Sequence, residues 1–373
     1  MWVNLVEYTS PCVSGAKLTI YLVTFLAMKT TVRTLLSSIA LVCGLLAHSA
    51  TADVFPVKIR PGSPGIPSVS VSIKTTVISN PNPGYGGITI MAVHGLAHTG
   101  NTMRPLAEEL FDNPPNGVRV KKVILLNMPG RGGSGLPYGN ISVKFGNLNV
   151  DDYAEVLLGA LVRHDDDNVS VLVGHSMGGL IIQASQEHLL RKGKNLRNKF
   201  GITDVVLVAS AYPSAVIDPF LESGAGLGLV AAYTTSSSSL GSFVSIDPDS
   251  FLNLFFTTDL NGGFAPGTPT VTGLATLGYK SDESLAASIQ TAGTANLRPT
   301  VRANIFTCTT GTQAHMIVGI HDVFNDPVQI GMLYQYLTGD ASLANVTIVE
   351  TSDSVHDQYI TNPAALVNAF NNP

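Results

Sequence analysis

The sequence predicts an α/β fold: a mostly parallel central sheet with helices on both faces and a helical cap. Three observations predict it. Short apolar, β-branched runs alternate with stretches of helical period from residue 88 onward, the pattern of strand–helix–strand units. One such run, Val169–Val173, passes through Gly174-His175-Ser176-Met177-Gly178 into an apolar-periodic stretch from Leu180 to Leu190, which reads as strand, sharp turn and helix. Finally, Ser176, Asp322 and His356 all fall at or after the ends of predicted strands, at the carboxyl edge where such sheets bind ligands.

The elements follow in order. Met28 to Arg33 is basic, Leu35 to Ala47 apolar and Ala50-Thr51-Ala52 small, the three parts of a secretory signal peptide. The apolar part is shorter than the roughly 20 residues that span a bilayer. The true start is therefore expected at Met28 and cleavage near Ala52, so that residues 1–52 are absent from a secreted mature chain without a stable membrane span. The competing reading, a membrane anchor built from Leu18–Met28 plus Leu35–Ala47, is interrupted by Lys29 and Arg33. Residues 53–68 are proline-rich and are expected to wrap the surface. Ser68–Ile73 alternates like a half-exposed edge strand. Core strands are expected at 88–93, 120–126, 169–173, 203–208, 314–319 and 345–350.

The stretch 212–302 breaks this rhythm with a glycine-rich part, a serine run and two helical candidates, Asp249–Phe256 and Ser281–Ile289, the second with Ser281 as N-cap. It is too long for a plain connection. It reads as a cap between the two parts of the core, 53–211 and 303–373, with Phe251, Phe255 and Phe256 among the residues roofing a pocket.

A serine at the apex of a strand-to-helix turn stands clear of the backbone, in strained φ/ψ, with the helix N-terminus aimed at it. Gly174 and Gly178 let strand and helix approach closely enough to make that turn. Ser176 is thus the expected nucleophile. It needs a base and an orienting acid. Of nine histidines, His356 alone follows a late strand and a polar turn, Thr351–Ser354, and can swing its ring over the sheet. The acid is expected between the two. Asp322, at the end of the strand-like Ala314–Ile320, is the first choice, and Asp326, before Pro327 and suited to a helix N-cap, the runner-up. Asp353 and Asp357 flank His356 too closely to orient it and are expected in solvent.

Ser176, Asp322 and His356 in this chain order resemble the α/β-hydrolase fold superfamily. Two more segments are similar to it. Ile88–Val93 leads into His94-Gly95-Leu96-Ala97-His98, like the family's His-Gly oxyanion loop. Leu125-Leu-Asn-Met-Pro-Gly-Arg-Gly-Gly-Ser-Gly135 is like its Asp-x-Pro-Gly-x-Gly-x-Ser turn, with Asn127 in place of the usual aspartate and altered glycine spacing. The similarity covers about residues 70–210 and 300–370. It implies that the backbone N–H groups of Leu96 and Met177 form the oxyanion hole and that no metal or organic cofactor is required. His94 is expected to brace its loop, and His98 either to line the pocket or to sit on the surface.

The 373 residues are 45% hydrophobic and 13% charged, with a net charge of −5. That suits a compact enzyme, and without a dense Lys/Arg stripe it argues against nucleic acid as a partner. Asp165–Asp167 reads as a solvated turn rather than a metal site. After cleavage Cys308 is the sole cysteine, so no internal disulfide forms. The leading expectation is a secreted serine hydrolase that cleaves small-molecule or lipid-like carboxylic esters through an acyl-enzyme. The alternatives are lipase or lactonase activity by the same mechanism, peptidase, acyltransferase or perhydrolase chemistry on the same triad, and a non-catalytic binding protein of the same fold.

Overall fold

The computed structural model describes residues 50–59, 68–82, 87–95, 98–135, 148–213, 301–322, 324–325 and 327–371. Eight strands form one sheet: β1 (Ala50–Ile59), β2 (Val69–Ser79), β3 (Ile88–Val93), β4 (Val120–Leu126), β5 (Val169–His175), β6 (Asp204–Val208), β7 (Gln313–Gly319) and β8 (Val346–Val349). Their spatial order is β1-β2-β4-β3-β5-β6-β7-β8. β1–β2 and β2–β4 are antiparallel, and every other pairing is parallel.

Successive side chains of a strand point to opposite faces, and the core follows that rule. Ile124 and Leu126 of β4 join one apolar cluster, Val123 and Leu125 the other. The first cluster is closed by α1 (Val150–Arg163), α2 (Met177–Leu190) and α3 (Pro327–Thr338), and the second by α4 (Arg104–Asp112) and α5 (Pro363–Asn371). With both faces covered, the central strands need apolar residues throughout, which is why they stand out as continuous runs.

The six core strands lie where expected, to within two residues at each end. The amino-terminal part differs. Residues 50–59 form edge strand β1 instead of wrapping the surface, and this puts β2 one place inside the sheet. Phe55, Val57 and Ile59 are buried at alternate positions, so the period of two outweighs Pro56, which an edge strand tolerates. Of the expected cap, residues 214–300 lie outside the described residues, while Tyr212 and Val301 on either side are core residues.

Candidate active site

β5 ends in the nucleophile turn. Ser176 has φ 52° and ψ −119°, a conformation rarely adopted by a residue with a side chain. The surrounding backbone holds it there. Its N–H donates to Val208 O at 2.9 Å, and its carbonyl accepts from Gly179 N at 3.0 Å and Ala211 N at 3.1 Å. A Cβ on Gly174 would lie 2.7 Å from the Gly178 carbonyl, and one on Gly178 2.1 Å from Val93 O. The turn therefore requires glycine at both places. Met177 is the first residue of α2, and first-turn N–H groups have no intrahelical acceptor. The Ser176 side chain is half-buried at this positive helix end.

β7 ends at Gly319, and Asp322 follows it. Both Asp322 carboxylate oxygens lie 3.1 Å from His356 Nδ1. Asp322 Oδ1 also accepts from the N–H groups of Phe324 at 2.8 Å and Asn325 at 3.2 Å, while Oδ2 accepts from Asn325 Nδ2 at 3.1 Å. Asn325 Nδ2 reaches Ala209 O as well, at 3.1 Å. Asn325, unforeseen in the sequence, thus ties the acid to the end of β6. Burial would depress His356, but the charge and hydrogen bond of Asp322, with the charge of Asp357, outweigh it and raise its pKa. An imidazole held this way presents Nε2 for proton transfer. Asp326 lies outside the described residues.

His94 is fully buried. Its Nδ1–H donates to Gly95 O at 2.8 Å and its Nε2 accepts from Met128 N–H at 3.2 Å. Burial lowers its pKa to about 3, so it is a neutral brace between two loops. Leu96 lies outside the described residues. The departure at Asn127 has a use: Oδ1 accepts from Gly100 N–H at 2.8 Å and Nδ2 donates to Lys74 O at 3.2 Å. An aspartate would lack that side-chain donor and leave the Lys74 carbonyl only the Asn127 N–H, at 3.1 Å.

Three expectations need correction. Asp357 is not solvated. It is fully buried and accepts from His98 Nε2–H at 2.9 Å, with His175 Nε2 at 3.3 Å. Burial opposes its ionisation, yet His98, His175 and His356 prevail and hold its pKa down to about 2. His98 is neither a pocket residue nor a surface one; its side chain is fully buried beside Asp357. Asp167, last of the acidic run, is not merely solvated but bonds Lys122 Nζ and, at 2.8 Å, His164 Nδ1. Asp353 is partly exposed and accepts from Asn362 Nδ2.

Among the described residues, one group has metal-ligand chemistry: His98, His175 and Asp357, with donor atoms within 4.8 Å of one another. Hydrogen bonds engage His98 Nε2, His175 Nε2 and Asp357 Oδ2. His175 Nε2 lies 3.0 Å from the His356 carbonyl oxygen, which can only accept, so that nitrogen carries a hydrogen. His98 Nε2 faces an ionised carboxylate and carries one too. Those two protonated nitrogens have no lone pair for a metal, which leaves Nδ1 of each ring as its ligand atom.

A sheet in this strand order, with a strained serine turn at the end of its fifth strand, is the architecture of the α/β hydrolases. The alpha/beta hydrolase family profile matches residues 90–369; the chain belongs to that family and is a hydrolase. No curated protein sequence matches it. Among solved structures, it is similar to naproxen esterase from Bacillus subtilis, with 16% identity, 87% of this chain and 91% of that one covered, and a TM-score of 0.51. A bacterial membrane phospholipase A described as a virulence factor is 17% identical over 95% of this chain and 96% of its own, with a TM-score of 0.54. The epoxide hydrolase CorEH is 13% identical over 85% and 96%, with a TM-score of 0.56. At such identities the likeness is one of fold.

Proposed function

We propose that the protein is a secreted serine hydrolase of carboxylic esters that works through an acyl-enzyme. The observation that carries this reading is the buried Asp322–His356 pair at the sheet edge that presents Ser176. Ser176 Oγ attacks the ester carbonyl while His356 Nε2 takes its proton. The oxyanion is met by the N–H groups of Met177 and Leu96, each donor worth roughly 3–4 kcal/mol in comparable sites. Collapse expels the alcohol, protonated by His356. Water, deprotonated by the same nitrogen, then releases the acid and restores Ser176.

Ester cleavage is favoured over epoxide opening by the nucleophile itself. A serine attacking an epoxide forms an alkyl ether, which has no carbonyl for water to attack, so turnover would stop. Export is supported by the basic, apolar and small segments from Met28 to Ala52. A fluorophosphonate probe tests the mechanism. The wild-type protein should be labelled at one site and lose its ester turnover, whereas Ser176→Ala should take no label and retain its thermal midpoint. Unlabelled wild-type protein, or an active Ser176→Ala, would overturn the reading. Aliphatic esters, lactones and aminoacyl amides compared side by side then define the substrate class.

A further inference from the structure

The histidines at 98 and 175 and the aspartate at 357 take no direct part in the acyl-enzyme chemistry, yet they are fully buried beneath it. They come from three places far apart in sequence: the loop after β3, the last residue of β5 where it enters the nucleophile turn, and the loop that carries His356. We propose that His98, His175 and Asp357 are positioning residues, a hydrogen-bonded latch that fixes the oxyanion loop and the base loop against the nucleophile turn. The proposal rests on the serine-hydrolase reading of Ser176.

Each bond of the latch joins two of these places. His98 Nε2–H to Asp357 Oδ2, at 2.9 Å, ties the loop after β3 to the loop after β8. His175 Nε2–H to the His356 carbonyl, at 3.0 Å, ties the nucleophile turn to the backbone of the base itself. The rings fill the space between. His98 and His175 meet edge to face at 5.4 Å between centroids, and Tyr359 packs on His175 at 4.6 Å. Gly95 closes the contact from above: a Cβ there would lie 2.8 Å from His175 Nδ1, 3.1 Å from His98 Nδ1 and 3.1 Å from Ser176 Cβ. The His98 N–H also reaches Gly95 O, at 3.4 Å. The two ends of the segment that carries Leu96 are thereby held together, and one of them is anchored to Asp357.

Directional bonds suit this task better than apolar packing. A buried carboxylate is costly unless it is paired, so Asp357 accepts only geometries in which His98 faces it. The oxyanion donors act on a transition state and must be held within about half an ångström of their productive place. An apolar substitute could fill the same volume while leaving the loop free to shift by that much.

The test compares His98→Ala with His98→Gln, whose terminal amide can replace the Nε2–H donor. Active serines are counted by fluorophosphonate titration, and p-nitrophenyl acetate hydrolysis is expressed per titrated serine. His98→Ala should lose about 10²-fold in kcat, the cost of a misplacement of about 1 Å, with KM little changed, because the lost contact acts on the transition state. His98→Gln should recover most of that loss. A purely structural role would reduce the number of titratable serines and leave the rate per serine unchanged. Should His98→Ala not fold, His98→Asn, whose amide stops short of Asp357, replaces it in the comparison. The proposal is overturned by an unchanged kcat per serine, by a glutamine variant no better than alanine, or by a stoichiometric metal in the purified wild type that His98→Gln loses. If wild-type protein takes no fluorophosphonate, it is the serine-hydrolase reading that has failed.

Discussion

His356 stands beside two buried carboxylates that have different tasks. Asp322 bonds its ring, whereas Asp357 is engaged by His98 and contributes its charge. The pH dependence follows from this. His356 must be neutral to accept the Ser176 proton, and its pKa is raised above the ordinary 6.5. kcat/KM should therefore be low in acid and rise through a value above 6.5. Asp322→Asn removes the charge and hydrogen bond that raise the pKa and leaves the burial that lowers it, so the acid limb should move to lower pH. The plateau should also fall, by about 10⁴-fold if the amide selects the wrong tautomer. A pH–rate profile of the two proteins checks both, and a limb that stays in place contradicts the account. Asp322 was legible in the sequence because the end of an apolar run marks a strand terminus. Asp357 was misread because adjacency to His356 says nothing about where a side chain turns. Two of the partners that keep it ionised, His98 and His175, are 259 and 182 residues away in the chain, and no local pattern announces them.

At the scale of elements, the alternation of strand and helix was legible wherever burial on both faces forced continuous apolar runs. It failed at β1, where one buried face leaves Phe55, Val57 and Ile59 alternating with exposed Val54, Pro56 and Lys58. Helix α1 begins with a capping box: Asn149 Oδ1 accepts from Asp152 N–H, and the Asp152 carboxylate accepts from Asn149 N–H, both at 2.9 Å. Asn149→Ala should cost about 1 kcal/mol, measurable by urea unfolding, with the rate per active serine unaltered. Gly319 is a harsher case. A Cβ there would sit 1.9 Å from the Ser354 carbonyl oxygen, so β7 can end where it does only because the loop that carries His356 crosses a bare backbone. Gly319→Ala should displace that loop and reduce kcat by about 10²-fold. An alanine variant with full kcat would show that the loop can yield without moving the base.

For the whole molecule, the question is where the mature chain begins. The sheet is complete from Asp53 onward in the respects that matter to the core: Phe55, Val57 and Ile59 are buried, and Asp53 is held by Arg163, whose Nε lies 2.6 Å from Asp53 Oδ2 and Nη2 3.2 Å from Oδ1. Removal of Ala50–Ala52, all exposed or nearly so, would shorten β1 without uncovering either cluster. No helix among the described residues is long and apolar enough to cross a membrane. The expected mature protein thus starts at or close to Asp53 and retains Cys308, exposed and unpaired, as its one cysteine. Its thermal midpoint should not change with reductant. Amino-terminal sequencing of protein from the culture medium of the native host should read from Asp53, within a few residues. Intact residues 1–27 on cell-associated enzyme would favour the anchor reading instead, because Leu18–Met28 and Leu35–Ala47 would then remain on the chain with a hydrophobic area that water disfavours and a membrane accepts.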